Sequence, residues 1–248
     1  MAVEPWRTGT VIRIIDETYN TKRYFIRVNE LNAFNFKPGQ FVTLDLPIHE
    51  KPNKRWRSYS IASWPDGSNV FELLIVLLEG GAGTTWLFNN VREGSELTYR
   101  GAQGVFTLPE LIEKDLFFIC TGTGIAPFRS MANYIELHNI QHQNIYLIFG
   151  CRTQKDLVYY EEMKALEKRL TGFVYMPTLS REDWDGHKGY VHSLYEEICK
   201  NKEACEDLQE LKPAKFYLCG WKAMIDDARQ KIVALGYDRK AIHLELYG

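Results

Sequence analysis

Hydrophobic and polar residues alternate in short runs through the first 108 positions, with turn residues between the runs. A period of two is typical of strands that bury one face. One helical stretch interrupts it, because residues 84–90 follow a glycine cluster and begin with hydroxyl side chains that can cap a helix. This half predicts an all-β antiparallel barrel, with strands over residues 9–15, 23–28, 40–46, 57–62, 70–77 and 96–100.

Beyond Leu108 the pattern changes to continuous apolar runs that alternate with helical segments. Such runs are typical of parallel strands covered on both faces, and the helices supply the crossovers. We predict a doubly wound α/β parallel-sheet domain over residues 111–248, after a first domain over residues 1–110. Its predicted strands are 116–120, 145–149, 173–179, 216–219 and 242–246, and its predicted helices are 130–137, 160–170, 191–200 and 222–235.

Composition and charge argue against several classes of function. A chain of 248 residues, 45% hydrophobic and 25% charged, can bury two cores. A formal net charge of -2, without a basic stripe, argues against a nucleic-acid partner. The five cysteines are too widely spaced for a zinc or iron–sulfur site, so we expect no metal. The N-terminal residues lack an apolar signal region and no apolar run is long enough to span a membrane, so we expect a cytoplasmic protein. We also expect it to be a monomer.

The segment Arg57, Ser58, Tyr59, Ser60 is the most informative short stretch of the chain. On a strand, Arg57 and Tyr59 share one face and the two serines share the other. A guanidinium can donate two hydrogen bonds to a phosphate, a phenol ring can stack on a flavin, and a hydroxyl can reach the N5 edge of that flavin. The same four residues are also compatible with an ordinary strand beside a turn.

Two glycine-rich segments are candidates for binding phosphate. Gly122, Thr123 and Gly124 follow the first buried strand of the second domain, and Pro127 suits the first turn of the helix that follows. Glycines let the backbone approach a pyrophosphate at a helix N-terminus. Residues 80–85 precede the short helix of the barrel and offer several N–H groups. The alternatives are a tight strand-to-helix turn and a mobile hairpin loop.

The last two predicted strands carry reactive side chains. Cys219 ends a buried strand, where doubly wound domains bind ligands, although a free cysteine is more commonly a small buried apolar residue. In the final strand His243, Glu245 and Tyr247 share one face. We expect this strand to be central, where burying Glu245 would be costly without a partner or a chemical task.

Two further clusters have plainer interpretations. His138 and His142 have the i, i+4 spacing of metal ligands but lack the glutamate of a zinc protease, so we interpret them as surface histidines. A basic run precedes the Arg57 strand and is either a solvated loop or a surface that steers an acidic electron carrier; it consists of Lys51, Lys54, Arg55 and Arg57.

Together these residues resemble the ferredoxin–NADP(+) reductase family, especially its plant-type members, over nearly the whole chain. In that family an Arg-x-Tyr-Ser strand holds the flavin and a Gly-x-x-Ser/Thr loop cradles the FAD pyrophosphate. Residues 38–41 and 101–106 also match family segments, with Ala102 where the family has proline. The resemblance implies that FAD is bound by Arg57, Tyr59, Ser60, Gly81, Gly83, Thr84 and Thr85.

The resemblance also covers the nicotinamide side. It implies that the NADP(H) pyrophosphate lies on Gly122, Thr123, Gly124 and Pro127. A Ser-Arg pair and a Lys-x-Tyr pair bind the 2′-phosphate in plant-type relatives; here these are Ser180, Arg181, Lys188 and Tyr190. Intervening carboxylates could instead accept a ribose diol and favour NADH, or the loop could simply be solvated; these are Glu182, Asp183 and Asp185. We favour NADP(H), mainly on the resemblance.

The C-terminal segment is similar to the family's ending, in which a tyrosine covers the flavin and a glutamate lies beside a cysteine. By this resemblance Tyr247 must move for nicotinamide to stack, and Gly248 extends past the position where family members usually end. The implied catalytic residues are Ser60, Cys219, Glu245 and Tyr247.

The implied activity is FAD-dependent exchange of electrons between NADP(H), by hydride transfer at flavin N5, and a one-electron carrier such as ferredoxin or flavodoxin. An NAD(P)H-dependent reductase component of an oxygenase, or a free-flavin reductase, remains an alternative. A non-catalytic relay subunit is a third, but it would be expected to carry a cysteine-ligated cluster.

Overall fold

The computed structural model describes residues 4–200 and 211–247, with the backbone alone at Tyr247. Gly248, Cys205 and the side chain of Tyr247 therefore lie outside the described part of the chain. Two compact units are present: Met1–Leu108 together with Ala126–Tyr134, and Pro109–Ile125 together with Ile135–Gly248. No helix of the described residues is long and apolar enough to cross a bilayer.

The first unit is an antiparallel sheet of six strands in the order β4-β3-β6-β1-β2-β5. A bridge between Ile61, just after β4, and Leu73 of β5 joins the two ends of the sheet. The predicted antiparallel barrel is therefore confirmed. Its strands are β1 (Trp6–Thr18), β2 (Thr21–Val28), β3 (Phe41–Asp45), β4 (Trp56–Ser60), β5 (Val70–Val76) and β6 (Glu96–Gln103), and its short helix is α1 (Ala82–Asn90).

The barrel core follows from the alternation along these strands. Val42 and Leu44 of β3 and Leu97 and Tyr99 of β6 point inward and are at most 4% exposed, while the residues between them face outward. Helix α1 begins two residues before the predicted start, because Gly81 takes an extended conformation at the N-cap and places the threonines inside the first turn.

The second unit is a parallel sheet with helices, in the order β10-β9-β8-β7-β11-β12. This confirms the predicted α/β doubly wound domain. Its strands are β7 (Asp115–Thr121), β8 (Ile145–Cys151), β9 (Phe173–Leu179), β10 (His187–Lys188), β11 (Ala214–Trp221) and β12 (Ile242–Tyr247). The helices of this part of the chain are α2 (Ala126–Leu137), α3 (Tyr160–Arg169), α4 (Val191–Lys200) and α5 (Lys222–Ala234). Most of α2, residues 126–134, belongs to the first unit.

Strand order fixes where this unit can bind a ligand. The chain passes outward from β7 through β8 to β9 and then returns to the other side of β7 as β11. Such a reversal opens a crevice beyond the carboxyl ends of the two strands that flank it, here β7 and β11.

The position of β12 corrects one expectation. We expected a central strand that buries Glu245, but β12 is the edge strand of the sheet and Glu245 is only half-buried. The last strand in chain order, β12, is added outside β11, so one side of it has no neighbouring strand in the described sheet. The burial argument for a chemical role of Glu245 was therefore wrong.

Candidate functional site

In the barrel unit, β4 places Arg57 against the first turn of α1. A Cβ built on Gly83 would lie 2.9 Å from Arg57 Cγ and 3.2 Å from Nε, so the side chain crosses the helix at this glycine. Arg57 Nη1 donates to the carbonyl oxygens of Lys54 (3.1 Å) and Trp56 (2.8 Å), which fix the guanidinium in place. A cation beside the N–H groups of a helix N-terminus fits an anionic group such as a pyrophosphate.

The hydroxyl of Thr84 shapes this loop from inside. Thr84 Oγ1 accepts from the backbone N–H of Leu78 (3.1 Å) and lies 3.2 Å from the carbonyl oxygen of Gly81, to which it donates. Thr85 is exposed in the same helical turn. The structure thus gives Thr84 a loop-closing role.

Tyr59 and Ser60 end strand β4. Tyr59 lies opposite Val42 of β3 and packs on the barrel core. Burial raises the pKa of Tyr59 to about 12, against the opposing effect of Arg57, so the phenol is neutral at physiological pH. Ser60 is 4% exposed. The structure therefore brings Arg57, Tyr59, Gly83 and Thr84 together in one unit.

In the second unit the ends of β7 and β11 interlock at two glycines. A Cβ on Gly124 would lie 2.4 Å from the carbonyl oxygen of Cys219, and a Cβ on Gly220 would lie 2.6 Å from Thr121 Oγ1. Gly220 also has φ +151°, a conformation that L side chains rarely adopt. The two loops can approach this closely only because both positions lack a side chain. They lie at the crevice that the strand order predicts.

The same crevice contains an unpartnered polar atom, which belongs to Thr121. No sequence motif singles out this residue. Its Oγ1 is buried and has no hydrogen-bond partner among the described residues. A buried hydroxyl without a partner is unfavourable unless a ligand or water satisfies it. Its position as the last residue of β7, directly before Gly122, was the available signal. This hydroxyl and the glycine loop fit a polar, phosphate-bearing group.

Cys219 and Glu245 are direct neighbours across the β11–β12 pair. Residues at the same register of parallel strands project from the same face, so both side chains lie on one side of the sheet. The thiol of Cys219 is fully buried, while Glu245 is half-buried at the edge. Tyr247 pairs with Trp221 through the backbone. Ser60 belongs to the other unit.

The loop after β9 borders an open cavity of about 330 Å³. Ser180, Arg181 and Lys188 line it, whereas Tyr190 lies just beyond and is 74% exposed. Ser180 Oγ donates to the carbonyl oxygen of Cys151 (3.2 Å), which ties the loop to the end of β8. Of the residues predicted to bind a 2′-phosphate, three line a single cavity.

Two of the intervening carboxylates already have partners. Glu182 accepts the backbone N–H of Gln154 (2.8 Å). Asp183 forms an ion pair with Lys188 (2.8 Å), and the hydrogen bond from Lys188 lowers the pKa of this carboxyl. Both line the cavity, and each accepts one hydrogen bond that the sequence alone did not show.

Arg152 also lies in this region, although the sequence did not single it out as a site residue. The backbone N–H of Arg181 donates to the carbonyl oxygen of Arg152 (2.9 Å), so the two residues are neighbours at the ends of β9 and β8. Both side chains are exposed, and neither guanidinium has an ion-pair partner among the described residues. Its place just after a parallel strand was the only sequence signal.

The remaining candidates form no site. Within residues 4–200 and 211–247 there is no group of three or more potential metal-ligating side chains, and His138 is exposed. The basic run is divided, since Arg55 pairs with Asp45 while Lys51 and Lys54 face solvent. A cavity of about 530 Å³ between α5 and β12 contains none of the predicted site residues.

Comparison with known proteins gives the family. Residues 8–108 match the oxidoreductase FAD-binding domain, and residues 118–230 match the oxidoreductase NAD-binding domain. The chain is 35% identical to ferredoxin–NADP reductase B of Sorangium cellulosum, covering 87% of this chain and 86% of that protein. It is 28% identical to the glycine betaine monooxygenase reductase subunit of Pseudomonas aeruginosa, covering 100% of this chain and 67% of that protein.

A solved structure shows the same fold. The ferredoxin NADP+ reductase from Neisseria gonorrhoeae, with bound FAD and NADP, superposes with a TM-score of 0.79 at 24% identity, covering 97% of this chain and 98% of that one. The predicted resemblance is confirmed by these matches. The chain belongs to the ferredoxin–NADP(+) reductase family of flavoprotein oxidoreductases and consists of an FAD-binding domain and an NAD(P)-binding domain.

Proposed function

We propose that this oxidoreductase exchanges electrons between NADP(H) and a one-electron carrier such as ferredoxin or flavodoxin. The observation that carries the choice of NADP(H) is the group of basic side chains at the cavity that follows β9. Ser180, Arg181 and Lys188 line it, and Arg152 lies beside Arg181. Two guanidinium groups without carboxylate partners in the described chain suit a dianionic 2′-phosphate, which NADH lacks.

The barrel residues would hold FAD by two contacts. Arg57 and the first turn of α1, including Gly81, Gly83 and Thr85, would bind the pyrophosphate, and the neutral ring of Tyr59 would stack on the flavin. FAD, when bound, supplies a ring system that accepts a hydride and releases electrons singly. Ser60, which ends the same strand, would contact the reactive edge of that ring.

The second unit would hold the nicotinamide nucleotide. Its pyrophosphate would lie on the N–H groups of Gly122, Thr123 and Gly124 before Pro127, and Thr121 Oγ1 would gain the hydrogen bond it lacks. Tyr190 is exposed enough to stack on the adenine. Adjacent to this loop, Cys219, Glu245 and Tyr247 would orient the nicotinamide. We propose that their contribution is proximity and orientation rather than acid–base chemistry.

The electron acceptor separates two versions of the proposal. Ferredoxin–NADP reductase B is the relative that favours a ferredoxin or flavodoxin. The relatives that serve oxygenases favour a role as the reductase component of such a system, and this chain spans 53% to 67% of the length of two of them. We also propose a cytoplasmic monomer, which light scattering and cell fractionation would test.

Stopped-flow mixing tests cofactor choice. FAD-loaded protein is mixed with NADPH or NADH, and flavin absorbance is followed. We expect NADPH to reduce the flavin at much lower concentration than NADH. Equal use of the two cofactors would contradict the 2′-phosphate assignment, and no reduction by either would contradict the proposed activity.

Steady-state turnover tests the acceptor. Reduction of a purified ferredoxin or flavodoxin is compared with reduction of free FMN and of a Rieske-type oxygenase component. Preferred turnover with the small carrier supports the first version. Preferred turnover with the oxygenase component supports the second version. Reduction of free FMN alone would contradict both versions and indicate a flavin reductase.

A further inference from the structure

A buried ionic network lies within the barrel unit and outside the site described above. Glu72 of β5 is 2% exposed and Arg129 of α2 is 4% exposed. Arg129 Nη1 donates to Glu72 Oε2 (2.9 Å). From the other side, Arg23 of β2 donates to the same carboxylate through Nε (2.6 Å to Oε1) and Nη2 (3.2 Å to Oε2). One buried carboxylate is thus shared by two arginines.

Arg129 makes a second contact that bears on the flavin strand. Its Nη1 also donates to the carbonyl oxygen of Ala62 (2.8 Å), two residues beyond Ser60. Its guanidinium lies 5.2 Å from the centre of the Trp64 ring, within the range of a cation–π contact. Arg129 therefore fastens both the backbone and a side chain of the segment that follows β4.

Glu72 holds the same segment through its own backbone. The N–H of Ala62 donates to the carbonyl oxygen of Glu72 (2.8 Å), and the N–H of Glu72 donates to Ser63 Oγ (3.0 Å). The bridge between Ile61 and Leu73 lies alongside. Residues 61–63 are consequently fixed to β5 at successive points, and Arg129 closes this arrangement from α2.

Stability alone does not account for such a network. Removing charged groups from water is unfavourable, and apolar residues of similar volume often stabilise a core equally well or better. A shared carboxylate with bidentate geometry does fix the relative positions of the groups it joins. The segment that it fixes directly follows Ser60, the serine assigned to the reactive edge of the flavin.

We propose that Arg129 is a positioning residue for flavin reduction, acting through the carbonyl of Ala62 and the carboxylate of Glu72 to hold Ser60 and the backbone after it. The inference rests on the proposed function, in which FAD lies on β4. Arg129 contacts the strand and not the reacting atoms. Its loss should disturb the environment of the flavin ring more than it disturbs nucleotide binding.

Arg23 provides a matched control. It binds the same buried carboxylate, but its remaining nitrogen, Nη1, lies 3.4 Å from Glu17 on the other side of the network. Arg129→Met and Arg23→Met each leave Glu72 with one cation, so both should lower stability. Arg129→Met alone removes the hydrogen bond to Ala62.

The test uses the FAD-loaded holoenzyme and two measurements. Visible circular dichroism of bound FAD reports the ring environment without turnover, and stopped-flow mixing gives the rate constant for flavin reduction at saturating NADPH. For Arg129→Met we expect an altered flavin dichroism and a rate constant lowered about tenfold or more, with the Kd for NADP+ within about twofold of wild type. Arg23→Met should retain both wild-type values, and Arg129→Lys should recover part of the loss.

Equal effects of Arg129→Met and Arg23→Met would overturn the proposal, because the network would then be structural only. Wild-type dichroism and rate in Arg129→Met would overturn it as well. Should Arg129→Met fail to fold, Arg129→Lys and Arg129→Gln decide the question by the same two measurements. Failure of wild type to bind FAD, or to be reduced by NADPH, would instead count against the proposed function.

Discussion

Replacing Gly124 by alanine tests whether the ends of β7 and β11 form the nucleotide site. The added Cβ would lie 2.4 Å from the carbonyl oxygen of Cys219 and 2.9 Å from its carbonyl carbon. Both atoms belong to the backbone of a buried strand, so a rotamer change cannot relieve the clash. The glycine loop and β11 must move apart by about 1 Å to restore ordinary contact.

The size of the effect follows from that displacement. Overpacking of this kind costs about 1–3 kcal/mol of stability. A misplacement of about 1 Å can lower the efficiency of a binding or catalytic arrangement by about 10²-fold. We therefore expect Gly124→Ala to weaken NADP+ binding by about two orders of magnitude, or about 2.7 kcal/mol, while FAD on the barrel unit stays bound.

Isothermal titration of FAD-loaded protein with NADP+ measures this directly. Gly236→Ala is the matched control, because that glycine has φ +103° and a Cβ there would lie 2.9 Å from a leucine methyl group, away from the loop. It should lose stability with little change in NADP+ affinity. If Gly124→Ala binds NADP+ within about threefold of wild type, the pyrophosphate does not lie on this loop and the reasoning is refuted.

Three further changes test other parts of the site. Arg181→Gln should raise the KM for NADPH about tenfold or more by removing a charged hydrogen bond and leave that for NADH nearly unchanged; parallel effects on both cofactors would contradict a 2′-phosphate contact. Gly83→Ala should weaken FAD binding about tenfold by displacing Arg57, since the added Cβ would lie 2.9 Å from Arg57 Cγ; unchanged flavin affinity by fluorescence titration would argue against Arg57 as a ligand. His243 has a pKa lowered from 6.5 by burial and by Lys215, so protonation favours the unfolded chain and its contribution to stability is lost as pH falls below 6.5. In urea unfolding, His243→Phe, which retains an aromatic ring against Tyr217, should lose less stability than wild type between about pH 7.5 and pH 5.5.

Local pattern determined most of the architecture. A strand that buries one face must alternate, and a strand covered on both faces must be continuously apolar, so β1 to β12 and their connecting helices are visible in the sequence apart from the two-residue β10. The proposed flavin segment around Arg57 and Tyr59 and the proposed phosphate loop at Gly122 were likewise predicted from residue type and neighbouring elements, because the chemistry of each is contained in a few consecutive residues.

Other features depended on contacts between distant parts of the chain. Arg129 and Glu72 are 57 residues apart, and no local pattern shows that a helix of the second half supplies a cation to a strand of the first. Arg152 became a candidate only when the ends of β8 and β9 were seen side by side. The partners of Glu182 and Asp183 are also set by loop geometry, because they come from residues that are distant or on the far side of the loop.

Glu245 shows most clearly the difference between what the local sequence determines and what depends on tertiary contacts. The sequence by itself determined that it lies on a strand, on one face with His243 and Tyr247, since alternation along a strand requires it. Only the tertiary structure decided that this strand is an edge of the sheet and that its register places Glu245 beside Cys219. Hydrophobic periodicity records which face is buried, whereas strand order and register depend on the packing of the whole sheet, and that information is not local to any segment.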